Sequence, residues 1–333
     1  MRIVLCYPVQ PKHFQQIAAA VPEAELVDAG QQRIAQELPT ADIYCGHAKV
    51  PVDWDSTVRQ GRLRWIQSSA AGMDHCLVPS VIASDIVVTS ASGVLADQVA
   101  EHTIAFLTGW CRNLPTFFRA QQKKEFVRRP TRDLHRSTVG IAGFGGVGRR
   151  LARLLSAFNT RILATDMFPL DKPSYVEALW PADRLEEMAA LVDILVLCLP
   201  LNEMTRGTVD ARLLGQMKPY SLLVNMARGP LVVTADLVAT LQGGHLAGAC
   251  MDVTDPEPLP PDSPLWDMPN VMITPHVAGQ SAIRIDNMTN LFCENLRRWK
   301  ANLPLINRLD DKRLGFPIRG KSPLWVDSAE GLA

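Results

Sequence analysis

Short aliphatic and β-branched runs alternate along this chain with segments of helical period, the pattern of parallel α/β sheets. A first set of strand candidates comprises Arg2–Cys6, Ala41–Cys45, Leu63–Gln67 and Asp85–Thr89. A second comprises Ser137–Phe144, Arg161–Asp166, Asp193–Leu199, Ser221–Asn225, Gly248–Asp252 and Val271–Thr274. Runs such as Ile194-Leu195-Val196-Leu197 carry no polar alternation. Strands covered by helices on both faces look like this.

Two helical segments divide the sets. Val99, Thr103, Phe106 and Trp110 recur at helical spacing and predict a long helix over Ala96–Trp110. The stretch Arg112–Arg136 that follows is polar and basic with no strand pattern. Met288, Leu291, Phe292 and Leu296 predict a second helix over Asn287–Lys300, where the chain returns to its first domain. The expected domains are residues 1–100 plus 287–333, and 101–286. The tail beyond Phe316 shows no clear pattern, and no repeat of 20–50 residues is visible.

Composition narrows the classes. A chain of 333 residues with 47% hydrophobic content and mean hydropathy of +0.04 fits a soluble two-domain globular protein. No apolar run approaches the roughly 20 residues a membrane span needs. The N-terminus reads directly as a strand, without the apolar region of a signal peptide. Lys plus Arg and Asp plus Glu both number 34, so the overall field favours neither nucleic acid nor an anionic membrane. Arg112–Arg136 carries eight Lys and Arg against Glu125 and Asp133. It reads as a solvated or subunit-facing connector, because aromatic residues do not interleave with its charges. Seven scattered cysteines without C-x-x-C spacing point to a reducing, cytoplasmic compartment and no disulfides. Nothing completes a metal set around His75-Cys76, so no metal is expected.

The first chemistry-bearing motif joins a strand to a helix. Ser137–Ala142 runs into Gly143-Phe144-Gly145-Gly146-Val147-Gly148, and Leu151, Leu154, Leu155 and Phe158 then recur as on a helix face. In this G-x-G-x-x-G, Gly143 permits the tight turn, Gly145 admits a pyrophosphate to the backbone, and Gly148 lets helix and strand pack closely. The helix N-terminus offers unpaired N–H groups to the phosphates. The next strand ends at Asp166, 18 residues after Gly148. Its carboxylate suits the adenosine ribose hydroxyls and would repel a 2′-phosphate; Met167 and Phe168 follow it with no arginine, which favours NAD over NADP. Arg149, Arg150 and Arg153 read as solvent-facing residues of the loop helix.

Three further strand ends carry polar groups, where α/β sheets place ligands. One ends in Val224-Asn225-Met226-Ala227-Arg228-Gly229, and another in Asp252, followed by Asp255-Pro256-Glu257-Pro258. A third ends in Thr274-Pro275-His276. Singly, Arg228 reads as a salt-bridge residue, Glu257 as a solvated acid and His276 as a cap or core histidine. Together on one sheet edge they are what hydride transfer to a keto acid requires. Arginine clamps a carboxylate with two parallel donors. Histidine supplies a proton near neutral pH, and a neighbouring carboxylate orients it.

At this point the chain resembles the D-isomer-specific 2-hydroxyacid dehydrogenase family. The matching segments are Ser69–Asp74, Val99-Ala100-Glu101-His102, Gly143–Gly148, Cys198–Leu201, Asn225–Pro230, Asp252-Val253 with Glu257–Leu259, and Thr274–His276. They occur in the expected order over about residues 1–315. The resemblance implies two flavodoxin/Rossmann-like, doubly wound parallel-sheet domains with a cleft between them. Residues 1–100 plus 287–333 would form the substrate domain and 101–286 the NAD-binding domain. It makes Arg228 the substrate clamp, His276 the acid/base and Glu257 its partner. Asp252 and the backbone near Ala227 would hold the nicotinamide amide, with Met226 and Ala278 among the cofactor contacts. Leu199 and Pro200 would line the adenine pocket, Thr205 would reach a phosphate, and Ala71-Gly72 would offer N–H groups to the substrate carboxylate. The family also implies a homodimer built on the cofactor domain.

The expected activity is transfer of a hydride between NAD and C2 of a small 2-hydroxy or 2-keto acid, of glyoxylate or hydroxypyruvate type. Cys45-Gly46-His47 stands where phosphoglycerate-specific members carry a basic residue, which argues against a phosphorylated substrate, although His47 and Lys49 lie close enough to meet an anion. The tail Pro317–Ala333 has no recognisable counterpart. Two other readings share the scaffold: an NAD(H)-sensing protein like the corepressors that reuse this fold, and a formate, phosphite or 3-phosphoglycerate dehydrogenase.

Overall fold

The computed structural model of the chain describes residues 1–321 and 323–324. The chain forms two compact units, residues 1–95 with 281–333, and residues 96–280. The sequence pattern predicts these boundaries at 100/101 and 286/287. They fall earlier because the helix beginning at Ala96 belongs whole to the second unit, and because the return to the first unit precedes the helix at Arg284.

The first unit is built from β1 (Arg2–Cys6), α1 (Pro11–Ala20), β2 (Glu25–Asp28), α2 (Gly30–Glu37), β3 (Ile43–Gly46), α3 (Trp54–Gln60), β4 (Trp65–Ser68), α4 (Pro79–Ala83) and β5 (Val87–Thr89). All pairings are parallel, in the order β2-β1-β3-β4-β5. Successive residues of β1 feed opposite faces, as the period of a strand dictates. Ile3 and Leu5 meet Met288, Leu291 and Phe292, which lie on a helix that returns late in the chain. Val4 and Cys6 meet Ile34, Trp54 and Val81. A buried polar chain ties the last strands to the returning segment. Trp65 Nε1 donates to Thr89 Oγ1, which donates to Gln67 Oε1, and Asn295 Nδ2 donates to the same Gln67 oxygen.

The second unit opens with α5 (Ala96–Cys111) and α6 (Leu114–Gln122). It continues through β6 (Thr138–Ala142), α7 (Gly146–Ser156), β7 (Arg161–Asp166), β8 (Ala178–Pro181), α8 (Leu185–Leu191), β9 (Ile194–Leu197), α9 (Ala211–Gln216), β10 (Leu222–Asn225), α10 (Thr234–Gln242), β11 (Gly248–Met251) and β12 (Val271–Ile273). Its seven parallel strands run β12-β11-β10-β9-β6-β7-β8, a doubly wound sheet. The strand order reverses between β9 and β6, so the loops after β6 and β9 meet at the switch point where such sheets bind ligands. Ile141, Val196 and Val224 pack with Phe106, Leu151 and Leu155 on one face. Leu195, Leu223 and Ala249 pack with Met188, Leu213 and Leu237 on the other. The returning helix, α11 (Arg284–Lys300), then belongs to the first unit.

Three elements escape the hydrophobic pattern. β2 and β8 are four-residue edge strands with little burial, and β8 ends in a proline, as edges tolerate. Within the basic connector, α6 buries Ala120 and half-buries Phe117, while Leu114 and Phe118 are left exposed. No helix among the described residues is long and apolar enough to cross a membrane. Ser322 and residues 325–333, most of the tail singled out above, lie outside the described residues.

Candidate active site

The glycine loop takes its shape from steric necessity. Gly143 sits at φ +93°, and a Cβ there would lie 2.6 Å from the Cys198 carbonyl oxygen at the end of β9. A Cβ on Gly148 would run into the Gly143 carbonyl and press on Ile141, so α7 can approach β6 only without it. At Gly145 no atom lies within 4 Å of the Cβ position, which leaves open space above the exposed backbone of Gly145 and Gly146. No side chain caps the start of α7. Its first N–H groups, those of Gly146, Val147 and Gly148, keep the partial positive charge of a helix N-terminus for an anion. A pyrophosphate fits this cradle on sterics and on charge.

Asp166, at the end of β7, holds the cradle from the side. Its Oδ2 accepts the Phe144 N–H at 2.7 Å and its Oδ1 the Phe168 N–H at 2.8 Å. A carboxylate has about four acceptor sites, so two remain for other donors. Arg149 and Arg150 do not face solvent as the sequence suggested. The Arg149 guanidinium lies over the Phe144 ring, 4.7 Å from its centroid, and donates to the carbonyls of Leu170 and Asp171. Arg150 pairs with Asp97 of α5, one of the bonds being 3.1 Å. Both sit on the first turns of α7, where their long stems reach across to neighbouring segments. Arg153 is exposed. An arginine therefore does stand beside the loop after Asp166, brought there by the fold and not by the local sequence.

Arg228 leaves the end of β10 on a loop braced by Asn225, which the sequence reading did not single out. Asn225 is fully buried; its Oδ1 accepts the Ala227 N–H and its Nδ2 donates to the Arg228 carbonyl. The Arg228 guanidinium donates to the Ala227 carbonyl at 2.7 Å. Gly229 lets this loop close on the next one, because a Cβ would run into the Thr254 carbonyl and lie 2.7 Å from Asp255 N. Thr234 Oγ1 donates to the Asp255 carbonyl across the same seam. The segment leading to Glu257 is thereby fixed against the segment carrying Arg228.

Glu257 and His276 are brought into contact. Nδ1 of His276 lies 2.7 Å from Glu257 Oε1, both side chains being close to half exposed. An ionised carboxylate only accepts, so Nδ1 carries the proton and Nε2 is left as the working nitrogen. His276 is itself left-handed, at φ +55°, a conformation that costs on the order of 1 kcal/mol in a residue with a Cβ. What holds it is Asp252, only 2% exposed, at the end of β11. The Asp252 carbonyl accepts the His276 N–H at 2.7 Å. Its Oδ1 accepts the Val277 N–H at 2.9 Å, and its Oδ2 accepts the Ala278 N–H at 3.1 Å. Thr274 Oγ1 donates to Oδ1 at 2.6 Å. One acceptor site on Oδ2 remains.

The other predicted residues are placed as follows. Leu199 and Pro200 follow β9 and are half-buried. The Thr205 hydroxyl donates to the Pro200 carbonyl and accepts the Asn202 N–H, so here it braces a turn. Met226, Ala227 and Ala278 are nearly buried, and the Ala278 N–H is committed to Asp252. In the first unit, Ser68 Oγ accepts the Ala70 N–H and shapes the turn at the end of β4. The N–H groups of Ala71 and Gly72 beyond it have no partner among the described residues. His47 stacks on His75 at 3.9 Å between centroids, and Lys49 is exposed. No cluster among the described residues is composed to hold a metal ion.

The family model described as D-isomer specific 2-hydroxyacid dehydrogenase, NAD binding domain, matches residues 104–278. A glyoxylate reductase of Thermofilum pendens is 33% identical over 245 residues, 70% of this chain and 71% of that protein. An (S)-sulfolactate dehydrogenase of Chromohalobacter salexigens is 32% identical, over 74% of this chain and 81% of that one. Among solved structures, an NADPH-dependent glyoxylate/hydroxypyruvate reductase of Sinorhizobium meliloti, in complex with NADP and sulfate, superposes with a TM-score of 0.80 at 27% identity. That match covers 95% of this chain and 99% of the other.

Proposed function

This chain belongs to the D-isomer-specific 2-hydroxyacid dehydrogenase family, and from that premise we propose that it is an NADH-dependent reductase of a small unphosphorylated 2-keto acid, of glyoxylate or hydroxypyruvate type. The observation that carries the reading is the His276–Glu257 pair, held on the same sheet edge as the loop of Arg228 and the glycine cradle. When bound, a reduced nicotinamide supplies the hydride.

Each residue then has a task. Arg228 takes the substrate carboxylate with a planar, permanently charged fork. His276 delivers a proton from Nε2 to the carbonyl oxygen at C2, while Glu257 keeps Nδ1 protonated and the ring oriented. The N–H groups of Gly146, Val147 and Gly148 take the pyrophosphate, Gly145 leaving room for it, and Leu199 and Pro200 flank the adenine. Asp252 offers its remaining Oδ2 site to the nicotinamide amide, beside the backbone of Met226 and Ala227. Thr205 and Ala278 are assigned to shaping this wall, since their polar groups are already engaged.

NAD is preferred over NADP because the Asp166 carboxylate would meet a 2′-phosphate with like charge. The nearby Arg149 donates to two carbonyls, which supports the same preference. Seven free cysteines, six of them buried, support a reducing, cytoplasmic setting. Self-association through the second unit is supported by an open apolar groove of about 400 Å³ between α5, α6 and β12, lined by Phe106, Leu114, Phe118 and Met272. Phe118 on its rim is 58% exposed.

A panel of 2-keto acids with NADH and NADPH tests the reading. Turnover of glyoxylate or hydroxypyruvate with NADH supports it. Tight NADH binding without turnover of any keto acid would favour a nucleotide-sensing protein instead, and turnover confined to formate or phosphite would reassign the substrate.

A further inference from the structure

Asp252 is a carboxylate buried to 2% exposure, and a charge so placed is tolerable only while donors occupy its lone pairs. Two of its donors are the backbone N–H groups of Val277 and Ala278. The third is the Thr274 hydroxyl, which has a single hydrogen to give. That hydroxyl is not left to choose its direction. His102 of α5 places Nε2 at 3.0 Å from Thr274 Oγ1 and 3.9 Å from Asp252 Oδ1. Because the carboxylate only accepts, Thr274 must donate to it, and the bond from His102 must run from Nε2–H to Oγ1. The order of donation is therefore His102 to Thr274 to Asp252. The His102 ring is itself held edge-on by Phe106, at 4.8 Å and 77°.

We infer that His102 is a positioning residue for His276. It acts through Thr274 on the Asp252 carboxylate that gathers the left-handed loop 276–278. Without the His102 N–H, the Thr274 hydroxyl is free to rotate, Asp252 loses a fixed donor, and the strained backbone of His276 loses part of its restraint. Chemical steps are sensitive to such slack, because a misplacement of about 1 Å in a reacting group can cost on the order of a hundredfold in rate. His102 thus reaches the reaction from α5 without touching substrate. The inference rests on the proton-donor role proposed for His276, but the loop restraint itself can be read without turnover.

The experiment compares His102→Ala, His102→Gln, Thr274→Val and the double variant His102→Ala/Thr274→Val, with Thr274→Ser as the conservative control. Amide hydrogen exchange is followed at Val277 and Ala278, together with kcat and the NADH dissociation constant. His102→Ala is expected to speed exchange at both amides about tenfold or more. It should lower kcat at least tenfold and leave NADH affinity within about threefold, with exchange in β6 unchanged. His102→Gln, which restores a neutral N–H donor, should recover most of both losses, and Thr274→Ser should behave as wild type. The double variant should be no worse than the poorer single one, because one relay is broken in each. Wild-type exchange at 277 and 278 in His102→Ala, a Gln variant no better than Ala, or losses that multiply in the double variant would each overturn the inference. Should the wild-type protein reduce no keto acid, the proposed function fails, and the exchange data still decide the restraint.

Discussion

Gly229 closes against Thr254 so tightly that a single methyl group on it would run into the Thr254 carbonyl. That contact joins the loop carrying Arg228 to the loop leading to Glu257, so two functional side chains share one backbone seam. Gly229→Ala must push the loops apart. We expect kcat/KM to fall at least tenfold, about 1.4 kcal/mol of transition-state stabilisation, while NADH affinity changes little. Steady-state kinetics and a cofactor titration check this; an unchanged kcat/KM would mean that the seam does not set the site.

The His276–Glu257 bond makes an asymmetric prediction. His276→Asn removes the proton donor and leaves the glycine cradle alone, so kcat should drop by about 10²–10⁴-fold with NADH binding nearly intact. Glu257→Gln keeps the shape but loses the charge that holds Nδ1–H, and its loss in kcat should be smaller than that of the histidine variant. A Glu257 variant more damaged than His276→Asn would reverse the order of roles.

Asp166 has two jobs, and its replacement should reveal both. Asp166→Ala removes the charge opposed to a 2′-phosphate, so the ratio of kcat/KM for NADPH to that for NADH should rise about tenfold or more. It also removes the acceptor for the Phe144 and Phe168 N–H groups, so NADH itself should bind more weakly. Strict NADH preference in this variant would place the discriminating group elsewhere.

The thiols should be inert. Burial pushes Cys6, Cys111 and Cys293 up to about 11, and Cys198 up to about 12. Cys45, Cys76 and Cys250 are raised further by the same desolvation. The thiolate is the reactive form, so a small alkylating reagent at pH 8 should label no more than a minor fraction of the folded protein and all seven thiols once it is denatured. Rapid labelling of one native thiol, read by intact mass, would show that its packing is looser than described.

What could be read from the chain depended on whether the determinant was local. The glycine loop was legible because its spacing answers to covalent geometry: a turn at positive φ, an open backbone and a close helix–strand approach each exclude a side chain. The ends of β10, β11 and β12 were legible because uninterrupted apolar runs stop at polar residues. The edge strand β2 was missed because its apolar run is only Leu26-Val27 between two acids, β8 because Pro181 closes the short run Ala178–Trp180, and α6 because it buries little beyond Ala120. Arg149 was misread for a different reason. No acceptor for it stands nearby in the sequence, whereas its partners, the carbonyls of Leu170 and Asp171, lie beyond the next strand. Asn225 and His102 were visible as motif letters, but their work lies in bonds to loops that only folding brings near.

The central claim is a hydride delivered to C2 of a small keto acid, with the proton supplied at its oxygen. The direct measurement is transfer of deuterium from NADH deuterated at nicotinamide C4 to hydroxypyruvate, with the product analysed by mass and chirality. The account predicts D-glycerate carrying one deuterium at C2, formed by the wild-type protein and hardly at all by His276→Asn. Glycerate of the opposite hand, deuterium absent from C2, or an equal yield from the histidine variant would contradict it.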